Sequence, residues 1–386
     1  MADAPAEREI PATERTEREV TAAVVREKGS FELGPALLGP PRDDEVVVRI
    51  VAAGLCHTDL VVRDQVYPVP LPVVLGHEGA GVVEAVGAAV EKVAPGDHVA
   101  VSFLPCGRCR PCFDGSPASC ANFNAVNFAG RRLDGSHALR LADGDSGGIL
   151  HDRFFGQSSF ATHAVTNERN TVKVRPDAPL ELLGPLGCGI QTGAGTVLRA
   201  LNVGVGSTFA VMGAGAVGLS AVMAARVAGA VTIIAVDVLP SRLELAAELG
   251  ATHTVNGREQ DAVEEIGRIT GEGVDYALDT TGLPPLIGQM IQALRQRGTA
   301  AVLGASAEDA VVGVPANAFM QSCKTLMGVV EGNSVPDVFV PQLLDLYMQG
   351  RFPFDRLVTF YDFDQINEAA ADAAAGRAVK PILRMG

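Results

Sequence analysis

The sequence lacks three features that would each define a class of protein. No uninterrupted apolar run approaches the ~20 residues that cross a bilayer, so no membrane span is expected. Positive charge is in deficit, with 31 lysines and arginines against 45 acids and a net charge of −14, which argues against nucleic acid as a partner. The acidic first residues match neither a secretory signal nor a transit peptide. We therefore expect a cytoplasmic protein with a mobile N-terminal extension over residues 1–20.

The sequence has few cysteines, and their number is odd. The seven cysteines cannot all form pairs, and a chain of 386 residues buries enough surface to fold without disulfides. Four of the seven fall within residues 106–120. The cysteines therefore call for an explanation other than a disulfide framework.

The succession of short patterns predicts an α/β protein of two domains. Over residues 21–101, β-branched runs separated by glycine and proline indicate a compact, mostly β domain, and residues 105–156 indicate long irregular lobes. From residue 208, strand patterns alternate with helix patterns, as in a parallel, doubly wound sheet. Two late segments, 335–352 and 362–376, are predicted to be helices that pack back on the first domain.

The four clustered cysteines have the spacing of a metal site. Cys106, Cys109, Cys112 and Cys120 follow the pattern C-x2-C-x2-C-x7-C. Two-residue gaps let successive thiolates turn inward on one loop, and a fourth thiolate completes a tetrahedron around Zn2+. An iron–sulfur cluster is the competing interpretation, but the sequence shows nothing that suggests an electron partner. Four protein ligands leave no open position, so the predicted role of this zinc is structural.

A second candidate metal site involves residues that are far apart in the sequence. Cys56 lies in AAGLCHTDL, His77 in LGHEGAGVV and Cys188 in PLGCGIQTG. Two thiolates and one imidazole are a known ligand set for catalytic zinc, with a fourth position left for water or substrate. Spacing alone does not separate this set from an ordinary histidine and a buried thiol, so both interpretations stay open at this point. The remaining Cys323 is predicted to be a buried apolar thiol.

A glycine-rich motif indicates a dinucleotide site. Gly213, Gly215 and Gly218 form GxGxxG between a predicted strand and a predicted helix. These glycines allow a tight turn, a close approach of pyrophosphate to the backbone and close packing of helix on strand. Asp237 ends the next predicted strand, 19 residues after Gly218, where a carboxylate can bind the adenosine ribose. Its negative charge favours NAD over NADP.

Together these motifs resemble the zinc-dependent medium-chain alcohol dehydrogenase family. The resemblance rests on GLCHTD, GHEGAGVV, the four-cysteine segment, GCGIQTG, and GAGAVG with its following aspartate. It implies a GroES-like, mostly β catalytic domain over residues 21–189 and 333–386, with the structural zinc lobe at 105–121. It also implies an inserted Rossmann domain over residues 190–332. FFGQSSFATHA and GCGIQTGAG are similar to the benzyl or aryl-alcohol dehydrogenase branch.

The resemblance also implies a role for each of several residues. The ligands of the catalytic zinc would be Cys56, His77 and Cys188. The carboxylates beside them would be Glu78 and Asp59, and Thr58 would supply the hydroxyl that takes the alcohol proton. Besides the glycines and Asp237, the residues that contact the cofactor would be His57, Thr192, Arg242 and Lys380. The substrate pocket would be lined by Ser102, Phe154, Phe155, Ala305 and Val330. Much of the family has a proton-relay histidine at the position of Val61, so here the relay must use the ribose hydroxyl, water or His57.

These roles predict an NAD+-dependent enzyme with two Zn2+ per chain, one catalytic and one structural. It would reversibly oxidise primary alcohols to aldehydes, and the two pocket phenylalanines favour aromatic or allylic, benzyl-type alcohols over ethanol. The expected partners are the small alcohol or aldehyde and further copies of the chain, as the homodimer or homotetramer that the family implies.

Two other hypotheses stay open. One is a zinc-free quinone or enone reductase on the same architecture, which the presence of bound zinc would exclude. The other is a catalytically silent NAD-binding sensor, which turnover of an alcohol or aldehyde would exclude.

Overall fold

The computed structural model describes residues 17–142 and 148–386, which form two compact units. The first unit contains the described residues up to Gly115, those within Cys120–Cys188, and Val358–Gly386. The second unit contains Ser116–Ser119 and Gly189–Leu357.

The first unit is built mainly from strands. Up to Cys188 its strands are β1 (Arg18–Val25), β2 (Glu32–Leu38), β3 (Glu45–Gly54), β4 (Val73–Val74), β5 (Gly79–Val86), β6 (His98–Val101), β7 (Leu139–Leu141), β8 (His163–Asn167) and β9 (Thr171–Lys173). Three short helices join them, namely α1 (His57–Arg63), α2 (Arg110–Phe113) and α3 (Phe123–Asn127). The β-branched runs of the sequence supply these strands because such side chains pack well on a pleated surface.

The second unit alternates helices and strands. Its strands are β10 (Thr208–Met212), β11 (Thr232–Asp237), β12 (His253–Asn256), β13 (Val274–Asp279), β14 (Leu294–Val302) and β15 (Thr325–Gly328). Its helices are α4 (Gly189–Gly195), α5 (Ala216–Ala228), α6 (Pro240–Leu249), α7 (Ala262–Thr270), α8 (Pro284–Ala293), α9 (Ala316–Ser322) and α10 (Pro336–Met348). All six strands are parallel, in the order β12-β11-β10-β13-β14-β15.

The chain then returns to the first unit through β16 (Val358–Asp362), α11 (Ile366–Ala374) and β17 (Lys380–Arg384). There β17 pairs with β3 in a seven-stranded sheet ordered β16-β17-β3-β5-β6-β9, to which β8 adds beside β3. A second sheet of the unit has the order β4-β1-β2-β7. This arrangement confirms the predicted fold class, a mostly β domain with a doubly wound parallel sheet.

The structure differs from the predicted domain boundaries at several places. Ser116–Ser119, predicted within the zinc lobe of the first domain, group with the second unit. Residues 333–357, assigned above to the first domain, group with the second unit, because α10 buries Phe339, Val340 and Leu343 there and packs beside α4. Of the N-terminal extension predicted over residues 1–20, residues 1–16 lie outside the described part of the chain, and β1 already begins at Arg18. The other late helix, α11, does pack in the first unit, against β17.

Candidate active site and metal centres

The four clustered cysteines come together in one lobe of the first unit. The sulfur atoms of Cys106, Cys109, Cys112 and Cys120 all lie within 4.8 Å of one another. Thiolates that share one Zn2+ at about 2.3 Å each must be this close, so the cluster fits a tetrahedral site. The lobe is otherwise held by a small apolar cluster that includes Leu104 and Val126.

Hydrogen-bond donors surround these sulfur atoms. The backbone N–H of Cys106 donates to Cys120 Sγ at 3.3 Å, and the side-chain amide of Asn122 donates to Cys106 Sγ at 3.3 Å. Burial raises the pKa of Cys106, but hydrogen bonds from the Arg108 backbone and from Asn122 outweigh burial and hold that pKa at about 6. Cys106 therefore favours the thiolate form that a metal requires, whereas burial raises the pKa of Cys120 to about 12. Sequence reasoning missed Asn122, which has no place in the cysteine pattern.

The second cluster joins three distant parts of the first unit. Cys56 stands at the N-terminus of α1, His77 and Glu78 directly precede β5, and Cys188 follows a short 3-10 turn. One candidate ligand atom from each of the four lies within 4.8 Å of those of the others. The hydrogen bond from the Cys188 thiol lowers the pKa of Cys56 well below its ordinary value, against the effect of burial, and the charge of Lys380 adds to this lowering.

Asp59 fixes the orientation of His77. Its Oδ1 accepts hydrogen bonds from His77 Nδ1 at 2.9 Å and from the Gly76 backbone at 3.1 Å, while its Oδ2 accepts from the Cys56 backbone at 2.9 Å. A carboxylate at Nδ1 places the imidazole proton there, so Nε2 keeps its lone pair. The predicted orienting role of Asp59 thus has a geometric basis.

The donor set fits zinc on an observation independent of the sequence pattern. His77 is fully buried, and within the described residues its Nε2 has no hydrogen-bond partner. A buried nitrogen acceptor without a partner is costly, and a metal ion bound to it removes that cost. Two thiols and one such imidazole nitrogen are therefore suited to hold Zn2+.

Glu78 has a cationic partner of its own. Lys380 Nζ lies 2.9 Å from both oxygens of the Glu78 carboxylate, and both side chains are buried. Burial raises the pKa of Glu78, and the ammonium of Lys380 opposes that rise. The pairing of both oxygens leaves the two thiols and the imidazole as the better ligand set. Lys380 is buried in the first unit with this carboxylate as its partner, and its predicted contact with the cofactor stays a prediction.

The remaining residues of α1 differ in exposure. The Thr58 hydroxyl lies 3.9 Å from Cys56 Sγ, next to the cluster. His57 is exposed at the first position of the helix, and Val61 is half-buried. Thr58 thus lies next to the second cluster, and an exposed histidine precedes it in the chain.

Aromatic rings lie against the second cluster. The ring of Phe155 stacks on His77 with centroids 4.4 Å apart, and Phe154 meets the same imidazole edge-on at 5.4 Å. Phe128 contacts both phenylalanines, and Tyr67 contacts Phe128 at 5.7 Å. Sequence reasoning missed Phe128 and Tyr67, because neither belongs to a motif.

The other predicted pocket residues have varied surroundings. Ser102 is buried, and its hydroxyl donates to the Gly187 carbonyl at 2.7 Å, so it holds the backbone beside Cys188. Ala305 and Val330 belong to the second unit, where both are exposed. One further prediction was wrong, because Cys323, at the C-terminus of α9, is exposed rather than buried.

The second unit carries the predicted dinucleotide turn between β10 and α5. Gly213 has φ +94°, and a Cβ there would lie 2.4 Å from Thr280 Oγ1. A Cβ on Gly218 would lie 1.9 Å from the Gly213 carbonyl oxygen, whereas one on Gly215 would meet no described atom within 4 Å. The first and third glycines are thus required by the turn, and the second leaves open space at the helix N-terminus. This is the cradle that a pyrophosphate needs.

Asp237 and Arg242 lie beside this turn. The Asp237 carboxylate accepts hydrogen bonds from the backbone N–H of Ala214 at 2.7 Å and of Leu239 at 2.9 Å, which ties the end of β11 to the glycine turn. Arg242 is buried on α6, where burial lowers the pKa of its guanidinium and the charge of Asp237 opposes that effect. The contact of both residues with a dinucleotide stays a prediction.

Thr192 lies on α4 within a polar group of the second unit. Its hydroxyl is 3.3 Å from Glu331 Oε2, and Gln191 Nε2 is 3.3 Å from the same oxygen. Ser334 donates to Gln191 Oε1 at 3.0 Å. The sequence patterns did not indicate Glu331, which stands at a left-handed φ of +47°.

Comparisons with known proteins agree with this architecture. Residues 42–176 match the alcohol dehydrogenase GroES-like domain, and residues 216–348 match the zinc-binding dehydrogenase domain. Geraniol dehydrogenase from Castellaniella defragrans is 48% identical over 365 residues, which cover 94% of this chain and 96% of that protein.

Two solved structures are similar over almost the whole chain. An alcohol dehydrogenase zinc-binding domain protein from Burkholderia ambifaria has a TM-score of 0.94 and 58% identity, covering 96% of this chain and all of that one. Benzyl alcohol dehydrogenase from Acinetobacter calcoaceticus has a TM-score of 0.92 and 51% identity, with the same coverage.

The fold and the clustered donors define an oxidoreductase with a GroES-like domain, a Rossmann-type domain and sites suited to zinc and a nicotinamide cofactor. The chain belongs to the zinc-dependent medium-chain alcohol dehydrogenase family. Members of this family act on small molecules. Among the described residues, no helix is both long and apolar enough to cross a bilayer.

Proposed function

We propose that this protein reversibly oxidises primary alcohols of the aromatic or allylic, benzyl type to aldehydes, with NAD+ as hydride acceptor and two Zn2+ per chain. The observation that carries the proposal is the cluster of Cys56, His77 and Cys188, in which the buried His77 Nε2 has no hydrogen-bond partner among the described residues. The four-cysteine lobe would hold the second zinc, whose role is structural.

Residues of the first unit have separate proposed roles in the reaction. Cys56, His77 and Cys188 would hold the zinc, which would supply the Lewis acidity that lowers the pKa of a substrate alcohol. Asp59 keeps the histidine in the tautomer that leaves Nε2 free for the metal. Thr58, whose hydroxyl is 3.9 Å from Cys56 Sγ, would accept the alcohol proton and pass it onward. With Val61 in the relay position, His57 or water would take that proton to solvent.

The substrate class is supported by the aromatic rings and by the relatives. Phe154, Phe155, Phe128 and Tyr67 form a connected aromatic surface next to the imidazole of His77. Flat or unsaturated substrates gain more from such a surface than ethanol does. Geraniol dehydrogenase and benzyl alcohol dehydrogenase, both similar to this chain, are named for alcohols of these two kinds.

The cofactor preference is supported by the position of Asp237 beside the glycine turn. A carboxylate there can accept hydrogen bonds from ribose hydroxyls and repels a 2′-phosphate. His57, Thr192, Arg242 and Lys380 are the proposed additional cofactor contacts. We also expect a homodimer or homotetramer, which size-exclusion chromatography with light scattering distinguishes.

The proposal is tested by following the absorbance of reduced nicotinamide with NAD+ or NADP+ and a graded panel of ethanol, benzyl, cinnamyl and geranyl alcohols. We expect turnover with NAD+ and a higher kcat/KM for the three unsaturated alcohols. Ethanol as the best substrate would contradict the pocket assignment. Zinc-free protein with turnover of quinones or enones would favour the zinc-free reductase instead.

The zinc assignment is tested with Cys56→Ser and a matched control. Cys56→Ser should retain the fold, lose at least about 10³-fold in kcat and hold one Zn2+ instead of two, because one catalytic ligand is gone. The control, Cys323→Ser, removes an exposed cysteine of the second unit and should keep both metals and full activity. Full turnover by Cys56→Ser would refute the mechanism.

A further inference from the structure

The turn over residues 153–158 has an unusual backbone. Arg153, Phe155, Gly156 and Ser158 all have left-handed φ, at +64°, +52°, +67° and +54°. Side chains disfavour this region because Cβ approaches the backbone, so three non-glycine residues in such a short stretch need strong support from their surroundings. Every residue of the turn is buried. Such backbone strain is found most often where it positions a side chain of a functional site.

Two anchors hold the ends of the 153–158 turn. The Arg153 guanidinium donates to the Val165 carbonyl and lies 3.5 Å from the Glu45 carboxylate. The Ser158 hydroxyl donates to the Val74 carbonyl at 2.6 Å and accepts from the Phe154 backbone N–H at 3.0 Å. The turn is thus fixed to strands on both sides.

Between these anchors, the amide of Gln157 binds the backbone of the His77 segment. Its Oε1 accepts from the Gly79 N–H at 3.1 Å, and its Nε2 donates to the carbonyls of His77 at 2.9 Å and Ser102 at 3.2 Å. The Gln157 side chain therefore binds the backbone both before and after Glu78. Phe155, from the same turn, covers the face of the imidazole with an interplanar angle of 26°.

We propose that Gln157 and Phe155 are positioning residues for His77 as a zinc ligand. Gln157 fixes the peptide from which the imidazole projects, and Phe155 fixes the plane of the ring, while Asp59 fixes its rotation at Nδ1. The inference rests on the proposed catalytic zinc. A metal ligand held in advance at its backbone, its ring face and its far nitrogen loses little freedom on binding, so the metal stays bound longer.

The test compares Gln157→Leu with Asn127→Leu. Asn127 is also a buried side-chain amide of the first unit with three hydrogen bonds, to the N–H and carbonyl of Leu104 and to the Phe123 carbonyl, but none of these bonds reaches His77. Release of zinc from holoenzyme to a chromogenic chelator is followed together with the melting temperature. Each variant is also combined with Cys56→Ser, which should keep only the four-cysteine site, and the trace of that double variant is subtracted, because Asn127 contacts Leu104 and Phe123 beside the four cysteines.

Gln157→Leu should release the catalytic zinc about 10–100-fold faster than wild type, the range typical of a lost second-layer partner. Asn127→Leu should lower the melting temperature by a similar amount and leave that release rate unchanged. Equal release from Gln157→Leu and wild type, or equal acceleration by both variants, would overturn the proposal. Wild-type protein that binds two zincs and turns over alcohols upholds the proposed function whatever Gln157→Leu does.

A second variant keeps the inference falsifiable if Gln157→Leu does not fold. Phe155→Leu retains apolar volume and every side-chain hydrogen bond of Gln157, and removes only the stacked ring. It should also release the catalytic zinc faster than wild type. A release rate equal to that of wild type would then refute the inference.

Discussion

The buried ion pair between Lys380 and Glu78 offers the sharpest test of how this fold supports its site. Lys380→Met keeps the length of the side chain but removes the charge that both Glu78 oxygens contact at 2.9 Å. The Lys380 and Glu78 side chains are 3% and 0% exposed, so the Glu78 carboxylate would lose this cation where water does not solvate it. Breaking a pair in this way costs about 3–5 kcal/mol.

A matched surface pair sets the scale for that cost. Lys173 lies 2.7 Å from Asp97 in the same unit, but its side chain is 55% exposed. Lys173→Met should therefore cost at most about 1 kcal/mol, because water solvates both charges when they are unpaired. The double variant Glu78→Gln with Lys380→Met should recover at least about 1 kcal/mol of the Lys380→Met loss, since the buried side chain that loses the cation is then neutral.

The assay is urea unfolding in zinc-saturated buffer, followed by circular dichroism because the chain has no tryptophan. Zinc content is measured on each variant, so that a lost metal is not mistaken for a lost ion pair. A Lys380→Met cost no larger than that of Lys173→Met would refute the reasoning from burial.

Three further predictions concern the two units separately. Burial raises the pKa of Glu45, but hydrogen bonds and charge from Arg132 outweigh it and lower that pKa, so Glu45→Gln should cost about 3–5 kcal/mol at neutral pH. Ionised Glu45 stabilises the wild type above the ordinary pKa of glutamate, and this stabilisation is lost as the pH falls through the lowered pKa of Glu45. The difference in unfolding free energy between wild type and Glu45→Gln should therefore narrow in acid, and a constant difference would contradict this. In the second unit, Gly218→Ala should destabilise by about 1–3 kcal/mol through its clash with the Gly213 carbonyl. Gly215→Ala, which meets no described atom within 4 Å, should keep the melting temperature within a few degrees yet weaken NAD+ binding at least about tenfold by calorimetry, and unchanged affinity would contradict the pyrophosphate assignment.

Features that depend on residues close together in the chain were predictable from the sequence. The four cysteine sulfur atoms come together because gaps of two and seven residues keep them on a single loop. The glycine turn is mostly local, since strand, glycines and helix follow one another directly and the Gly213 carbonyl excludes a side chain at Gly218, whereas the remote Thr280 also confines Gly213.

Other features were mispredicted because local patterns do not specify what an element packs against. The amphipathic α10 was recognised as a helix, yet only its contacts place it in the second unit. The sequence around Cys323 gives no sign that the thiol is exposed at the end of α9. In both cases burial is decided by neighbours that are remote in sequence.

The sequence by itself determined the fold class, the clustering of four cysteines in one lobe and the glycine turn between β10 and α5. It offered Cys56, His77 and Cys188 only as candidates, because their spacing carries no geometric constraint. The tertiary structure brought these three together and paired Glu78 with a lysine 302 residues away. It also bonded the Gln157 amide to the backbone of His77 and Gly79, which flank Glu78. The physical reason is that sheet pairing and loop closure between distant segments fix the positions of these side chains, and no local pattern of residues encodes that geometry.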